Sequence, residues 1–193
     1  MTRILLLVKH AAPRVDPALP PPTWSLSDQG RAVCVPLAAA LRAFAPAFAV
    51  ASTEPKAVET ARLVSAALGV PLETAEGLHE QERGTLPFFA DPAAFAAWAK
   101  DMFARPSERV LAGESADEAH SRFATALAEV LERRPRGNAV VVTHGTVISL
   151  LVARALGSDP FALWSGLALP SFVALSLPRL ELAGSWGVHL PGP

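Results

Sequence analysis

A chain of 193 residues that is 51% hydrophobic and 18% charged can bury a substantial core and is too apolar to be disordered. Its net charge of −1 gives no sign of the clustered Lys/Arg surface that nucleic acids and anionic membranes require, although a small anion needs only a few cations in one pocket. The single cysteine, Cys34, excludes an intrachain disulfide, fits a reducing compartment and reads as a small buried hydrophobe. No apolar run approaches the roughly 18 residues of a membrane helix. Ile4–Val8 is too short for a signal peptide, so a soluble, cytoplasmic protein is expected.

Residues 3–9 read as a strand whose five central residues, 4–8, are continuously apolar, the pattern of a strand buried on both faces, and that run ends on Lys9 and His10. The prolines of 13–22 forbid regular structure and make a loop. Ser27 is a suitable N-cap for a helix over about 28–44, with Leu37, Ala40, Leu41 and Phe44 on one face, and Pro36 should kink or split it. A second apolar run covers 48–53. The next helix takes Thr53 as cap, Pro55 in its first turn and Gly69 as its stop, with Ala57, Ala61, Val64 and Leu68 as its apolar stripe.

Residues 70–90 read as irregular and contain the string LHEQERG. Asp91 and Pro92 open a helix carrying Phe95, Trp98 and Met102 on one side. Ser115 and Glu118 make a capping-box pattern ahead of the clearest helix in the chain, with Phe123, Leu127 and Val130 at helical spacing. Ala139–Val142 is another apolar run that ends on a histidine, His144, before a helix to about Gly157. Residues 172–177 and 187–190 read as two late strands.

Strands alternating with helices predict an α/β fold with a mainly parallel sheet, as one domain over 1–193 with a small lid-like excursion at about 84–112. Ligand sites in such sheets lie beyond the carboxyl ends of the strands, where both His10 and His144 fall.

Six stretches, in order, resemble the histidine phosphatase superfamily, the phosphoglycerate-mutase-like proteins. They are Lys9-His10-Ala11; Trp24, Leu26, Ser27 and Gly30; Ser52, Lys56, Ala57, Thr60 and Ala61; Leu78, Glu80 and Gly84; Gly113-Glu114-Ser115 with Arg122; and His144-Gly145. The resemblance implies a three-layer α/β/α fold and phosphoryl transfer through a phosphohistidine on His10, with no cofactor or metal. It implies Glu80 as general acid and base, in preference to His79 or Glu82. It also implies a phosphate cradle of Lys9, Lys56, a protonated His144, Gly145 and the backbone of Thr146, because phosphoryl transfer asks mainly for positioning and charge neutralisation. A small phosphorylated substrate is the expected partner, with no nucleic acid or membrane; Ala- and Leu-rich surfaces leave room for a homodimer.

Two departures stand out. Lysine occupies both positions, 9 and 56, where the family has a phosphate-gripping arginine. Lysine offers a point charge and not a fork, an expected loss of about 1–2 kcal/mol, or roughly tenfold in rate, at each position. Arg14 or Arg62 is the candidate substitute fork. The expected activity is hydrolysis of phosphomonoesters; the alternatives are a phosphate-binding protein with weak or lost catalysis, and a mutase, which the short, Ala- and Phe-rich excursion disfavours. Phe88, Phe89, Phe95 and Trp98 suit either an apolar substrate wall or core packing, and Trp24 and Trp164 could rim the pocket. No H-x-x-x-H pair or carboxylate cluster suggests a metal site, and no G-x-G-x-x-G follows the first strand.

Overall fold

Leu5, Leu6, Leu7 and Val8 are completely buried in the computed structural model, which describes residues 2–84, 88–110 and 113–189. They belong to β1 (Arg3–Lys9), which lies between β4 (Asn138–Thr143), parallel to it, and β5 (Leu167–Leu177), antiparallel to it. With β2 (Pro46–Ala51), β3 (Leu72–Thr74) and β6 (Glu181–Val188) they form one sheet in the order β3-β2-β4-β1-β5-β6.

Alternation along β1 divides the core in two. Leu5 and Leu7 face a cluster with Phe123, Ile148 and Leu163, under α4 (Pro92–Ala104), α5 (Ala116–Arg133), α6 (Gly145–Leu156) and α7 (Pro160–Gly166). Leu6 and Val8 face the opposite cluster with Leu37, Leu41 and Val64, under α1 (Asp28–Ala32), α2 (Cys34–Arg42) and α3 (Pro55–Leu68). The fold is a three-layer α/β/α sandwich whose sheet is parallel except where β5 pairs with β1 and β6.

The helix that was to be kinked by Pro36 is split at Val33 into α1 and α2. Ser27 caps α1 by accepting from Gly30 N, Ser115 and Glu118 make a full capping box, and Gly69 and Gly157 close α3 and α6 in the left-handed conformation. Cys34 is buried as expected.

Four local expectations need correction. The N-cap of α3 is Glu54, not Thr53, and its side chain does not cap the helix. Residues 72–74, read as irregular, pair with β2 at the sheet edge, and the seven-residue α7 was not anticipated. The last strand runs Glu181–Val188 rather than over 187–190; its outer face is exposed and polar, so it lacks the apolar run that marks a buried strand, and Leu190 lies outside the described residues. Within the 84–112 excursion, 85–87 and 111–112 also lie outside them; α4, in between, buries Trp98, Ala99, Met102 and Phe103 against the core.

Candidate active site

The register of three parallel strands sets the floor of a crevice. Lys9 pairs with Thr143, so the next residues on each strand, His10 and His144, lie side by side, their ring centroids 5.1 Å apart and nearly edge to face. Ala51 pairs with Val142, which brings Ser52 alongside, and its hydroxyl lies 2.8 Å from His144 Nε2. Along the sheet the connection from β1 to β2 runs in one direction and that from β3 to β4 in the other, the arrangement at which ligand crevices form in such sheets.

His10 Nδ1 lies 2.8 Å from the Ala11 carbonyl oxygen. A carbonyl only accepts, so Nδ1 carries the proton and Nε2 keeps its lone pair. Burial, then the charge of Lys56, pushes the His10 pKa down to about 3; the Ala11 hydrogen bond opposes this and Lys9 adds to it. Thr60 holds the strand end in place, accepting from Ala11 N at 3.0 Å and donating to the Lys56 carbonyl at 2.7 Å. His144 is wholly buried, and burial together with His10, Lys56, His79 and Arg83 holds its pKa well below the ordinary value. The expectation of a protonated His144 is therefore corrected for the protein by itself: removal from water and four neighbouring groups keep the ring neutral.

The two lysines differ in placement. Lys9 runs beside Gly145, its Cε 3.2 Å from where a Cβ on that residue would stand, and its Nζ donates to the Leu167 carbonyl at 2.9 Å. Burial lowers its pKa to about 8 against the opposing pull of Glu80. Gly145 thus makes room for the Lys9 side chain. Lys56 lines the crevice, but its Nζ is bound to the Glu54 carboxylate and donates to the Pro21 carbonyl at 2.9 Å. Glu54, a buried carboxylate, also accepts from Glu80 N at 3.0 Å and comes within 3.4 Å of His144 Nε2.

The wall is the segment 77–84, hung from α5. Arg122 grips Glu114 with both arms, at 2.9 and 2.8 Å, and donates to the carbonyls of Gly77, His79 and Glu80. Glu114 in turn accepts from Glu82 N at 3.1 Å, its carbonyl accepts from the Gln81 side chain, and Thr143 donates to the Leu78 carbonyl at 2.6 Å. The Gly-Glu-Ser and Arg122 positions therefore act by holding the loop that carries Glu80. One Glu80 oxygen accepts from Gln81 N at 2.9 Å and the other from Thr146 N, in the first turn of α6, at 3.1 Å.

A cavity of about 760 Å³ opens above this floor, lined by His10, His144, Glu54, Lys56, His79, Glu80 and Arg83, with Trp24, Phe88, Phe89 and Phe95 on its apolar side. Trp98 backs the aromatic wall, stacked on Phe95 at 5.7 Å, and Trp164 packs behind it on Phe95 and Phe161. The Arg83 guanidinium lies over the rings of Phe95, at 4.6 Å, and Trp98, at 5.5 Å. Burial lowers its pKa while Glu80 and Glu54 raise it.

The structure thus brings His10, Glu80, His144 and Lys56 to one cavity, while Gly145, Thr146 and Lys9 lie outside its lining, Thr146 meeting it only through its N–H on Glu80. Neither candidate substitute fork lines it: Arg14 lines a separate, smaller depression, and Arg62 is exposed on α3. Two charged lining residues, Glu54 and Arg83, carry no site signal in the sequence. The former looked like an ordinary pre-proline helix start, and the latter like a surface charge in LHEQERG. Among the described residues, no group of three His, Cys, Asp or Glu is arranged to hold a metal ion, and no helix is long and apolar enough to cross a membrane.

No curated protein sequence matches the chain. Solved structures of the same fold include the mycobacterial glucosyl-3-phosphoglycerate phosphatase Rv2419c, with 23% identity, 91% of each chain covered and a TM-score of 0.71. Bacillus stearothermophilus YhfR shares 22% identity over 94% of this chain and 95% of its own, with a TM-score of 0.73. A phosphoserine phosphatase from Entamoeba histolytica shares 15% identity over 95% and 96%, with a TM-score of 0.70. The family model described as histidine phosphatase superfamily (branch 1) matches residues 17–179. That match begins after His10 and takes in Lys56, Glu80, Arg122 and His144, and by it the chain belongs to the histidine phosphatase superfamily.

Proposed function

We propose that the protein is a metal-independent phosphomonoesterase that works through a phosphohistidine on His10, with Glu80 as general acid and base. Family membership supports phosphatase activity, and the observation that carries the mechanism is the His10 ring: buried, neutral, and held in the tautomer that leaves Nε2 unprotonated, on a cavity that Glu80 also lines. The Nε2 lone pair attacks phosphorus, the ester P–O bond breaks, and the departing oxygen takes the Glu80 proton. Water then attacks the phosphohistidine, Glu80 accepts its proton, and cleavage of the P–N bond restores His10 and releases phosphate. A phosphate dianion beside His144 would favour the charged imidazole, so that ring can gain its proton as substrate binds.

Phe88, Phe89 and Phe95 support a substrate with an apolar or aromatic alcohol portion. The known relatives of this fold include phosphatases for glucosyl-3-phosphoglycerate and phosphoserine, which supports a small phosphorylated substrate. The whole described chain is read as one domain, with α4 and its flanks covering the cavity.

A second reading, a phosphate-binding protein without turnover, is favoured by the engagement of Lys56 with Glu54 and of Lys9 with Leu167. Hydrolysis of p-nitrophenyl phosphate in the presence of a chelator separates the two. Turnover that survives chelation and disappears in His10→Ala is the expected result; phosphate binding with no turnover between pH 5 and 8 would establish the second reading instead.

A further inference from the structure

We propose that Arg83, on the aromatic wall, is the guanidinium fork that grips the substrate's phosphate in place of the lysines at positions 9 and 56. The inference rests on the phosphatase reading of the same cavity. Each lysine already has protein acceptors: the Leu167 carbonyl for Lys9, the Glu54 carboxylate and the Pro21 carbonyl for Lys56. Glu54 also sits beside His144 Nε2 and on Glu80 N, so a carboxylate already fills the electrostatic position that the family resemblance reserves for phosphate. An incoming dianion meets that negative charge at Lys56.

Arg83 is placed differently. It lines the same cavity, and its charge is felt at His144, Glu80 and Glu54. Among the described residues it has no side-chain hydrogen bond, and its planar group lies against Phe95 and Trp98. Contact with the rings holds the guanidinium in place without using its N–H groups as hydrogen-bond donors to an acceptor oxygen, and a guanidinium fork can bind two oxygens of one phosphate. Of the cationic side chains lining the cavity, Lys56 is ion-paired and Arg83 is not.

The test compares Arg83→Ala, Arg83→Lys and the paired variant Glu54→Gln/Lys56→Met, which removes the ion pair without leaving one charge buried alone. The probes are p-nitrophenyl phosphate for turnover and inorganic phosphate for binding. Arg83→Ala is expected to lower kcat/KM and weaken phosphate binding by about 10- to 100-fold, the scale of one lost charge-assisted fork. Arg83→Lys should recover only part of that, and the paired variant should lose less than Arg83→Ala. Thermal melts check folding, and Arg83→Gln, which keeps a polar stem, replaces the alanine variant if that one does not fold.

An Arg83→Ala protein within twofold of wild type, or a larger loss in the paired variant, overturns the proposal. Arg83-dependent phosphate binding without any turnover upholds it and sinks the phosphatase reading. Turnover that needs His10 but ignores Arg83 does the reverse, and the absence of both turnover and phosphate binding overturns both.

Discussion

The floor of the cavity is fixed by the sheet, strand against strand, whereas its wall hangs largely from one side chain. His10, Ser52 and His144 each follow the last paired residues of a strand, so backbone ladders set their separations. Glu80 and Arg83 sit on a segment without strand partners of its own, and Arg122 gathers it by three carbonyls and the Glu114 carboxylate. A nucleophile needs a fixed tautomer and a fixed neighbour, which ladders supply. An acid/base group and an anion grip must meet ligands entering from outside, and a loop can carry them there at the cost of depending on its strut.

The sharpest way to separate the two is to disable the wall chemically while leaving its shape. Glu80→Gln should lower kcat by about 10²- to 10⁴-fold, the usual range for a lost acid/base group. Phosphate affinity should stay within a few-fold, because Arg83 and the floor are both left in place. A variant with wild-type kcat would remove Glu80 from the mechanism.

Breaking the strut itself should cost stability and geometry together. Arg122→Leu leaves Glu114 without its partner in a mostly buried position and is expected to destabilise the fold by about 3–5 kcal/mol in denaturant unfolding. The His10 ring should keep its Nδ1 proton in nitrogen NMR spectra even so. If the tautomer scrambles as well, floor and wall are one unit and the distinction collapses.

Acid should act on the floor. His10 has its pKa lowered from 6.5 to about 3, and His144 is shifted the same way. Below pH 6.5 the unfolded chain takes up protons on these rings that the folded chain refuses, so stability falls as pH drops from 6.5 toward 3. Unfolding curves across that window should show a shallower pH slope for His10→Gln than for wild type; equal slopes would mean the ring is not held neutral. The smallest effect belongs to the wall's outer support. Ser115→Ala removes the α5 capping box and should cost about 1 kcal/mol with kcat unchanged.

The same division explains what could be read from sequence. Floor residues end apolar runs, and an apolar run is visible one residue at a time: Leu5–Val8 points to His10, Ala139–Val142 to His144. Capping chemistry is equally local, which is why Ser27, Ser115, Gly69 and Gly157 were legible at helix ends. The three residues of β3 are too few to show alternation, and β6 is exposed along its outer edge, so neither carries the buried-strand pattern. Glu54 and Arg83 owe their importance to neighbours distant in the chain: His144 and Glu80 for one, Phe95 and Trp98 for the other. Nothing in their local spacing distinguishes them from solvated charges.

The slot that holds Lys9 limits what position 9 can accept. Its methylenes lie against Gly145, and its ammonium ends on the first residue of the reversed strand β5. A longer, planar side chain at position 9 would have to find a new path past that glycine and that carbonyl. Replacing Lys9 by arginine is therefore not a one-letter change: it requires accommodation at the entry to β5 as well. The side chain at position 9 and the absence of one at position 145 are thus tied to each other by packing.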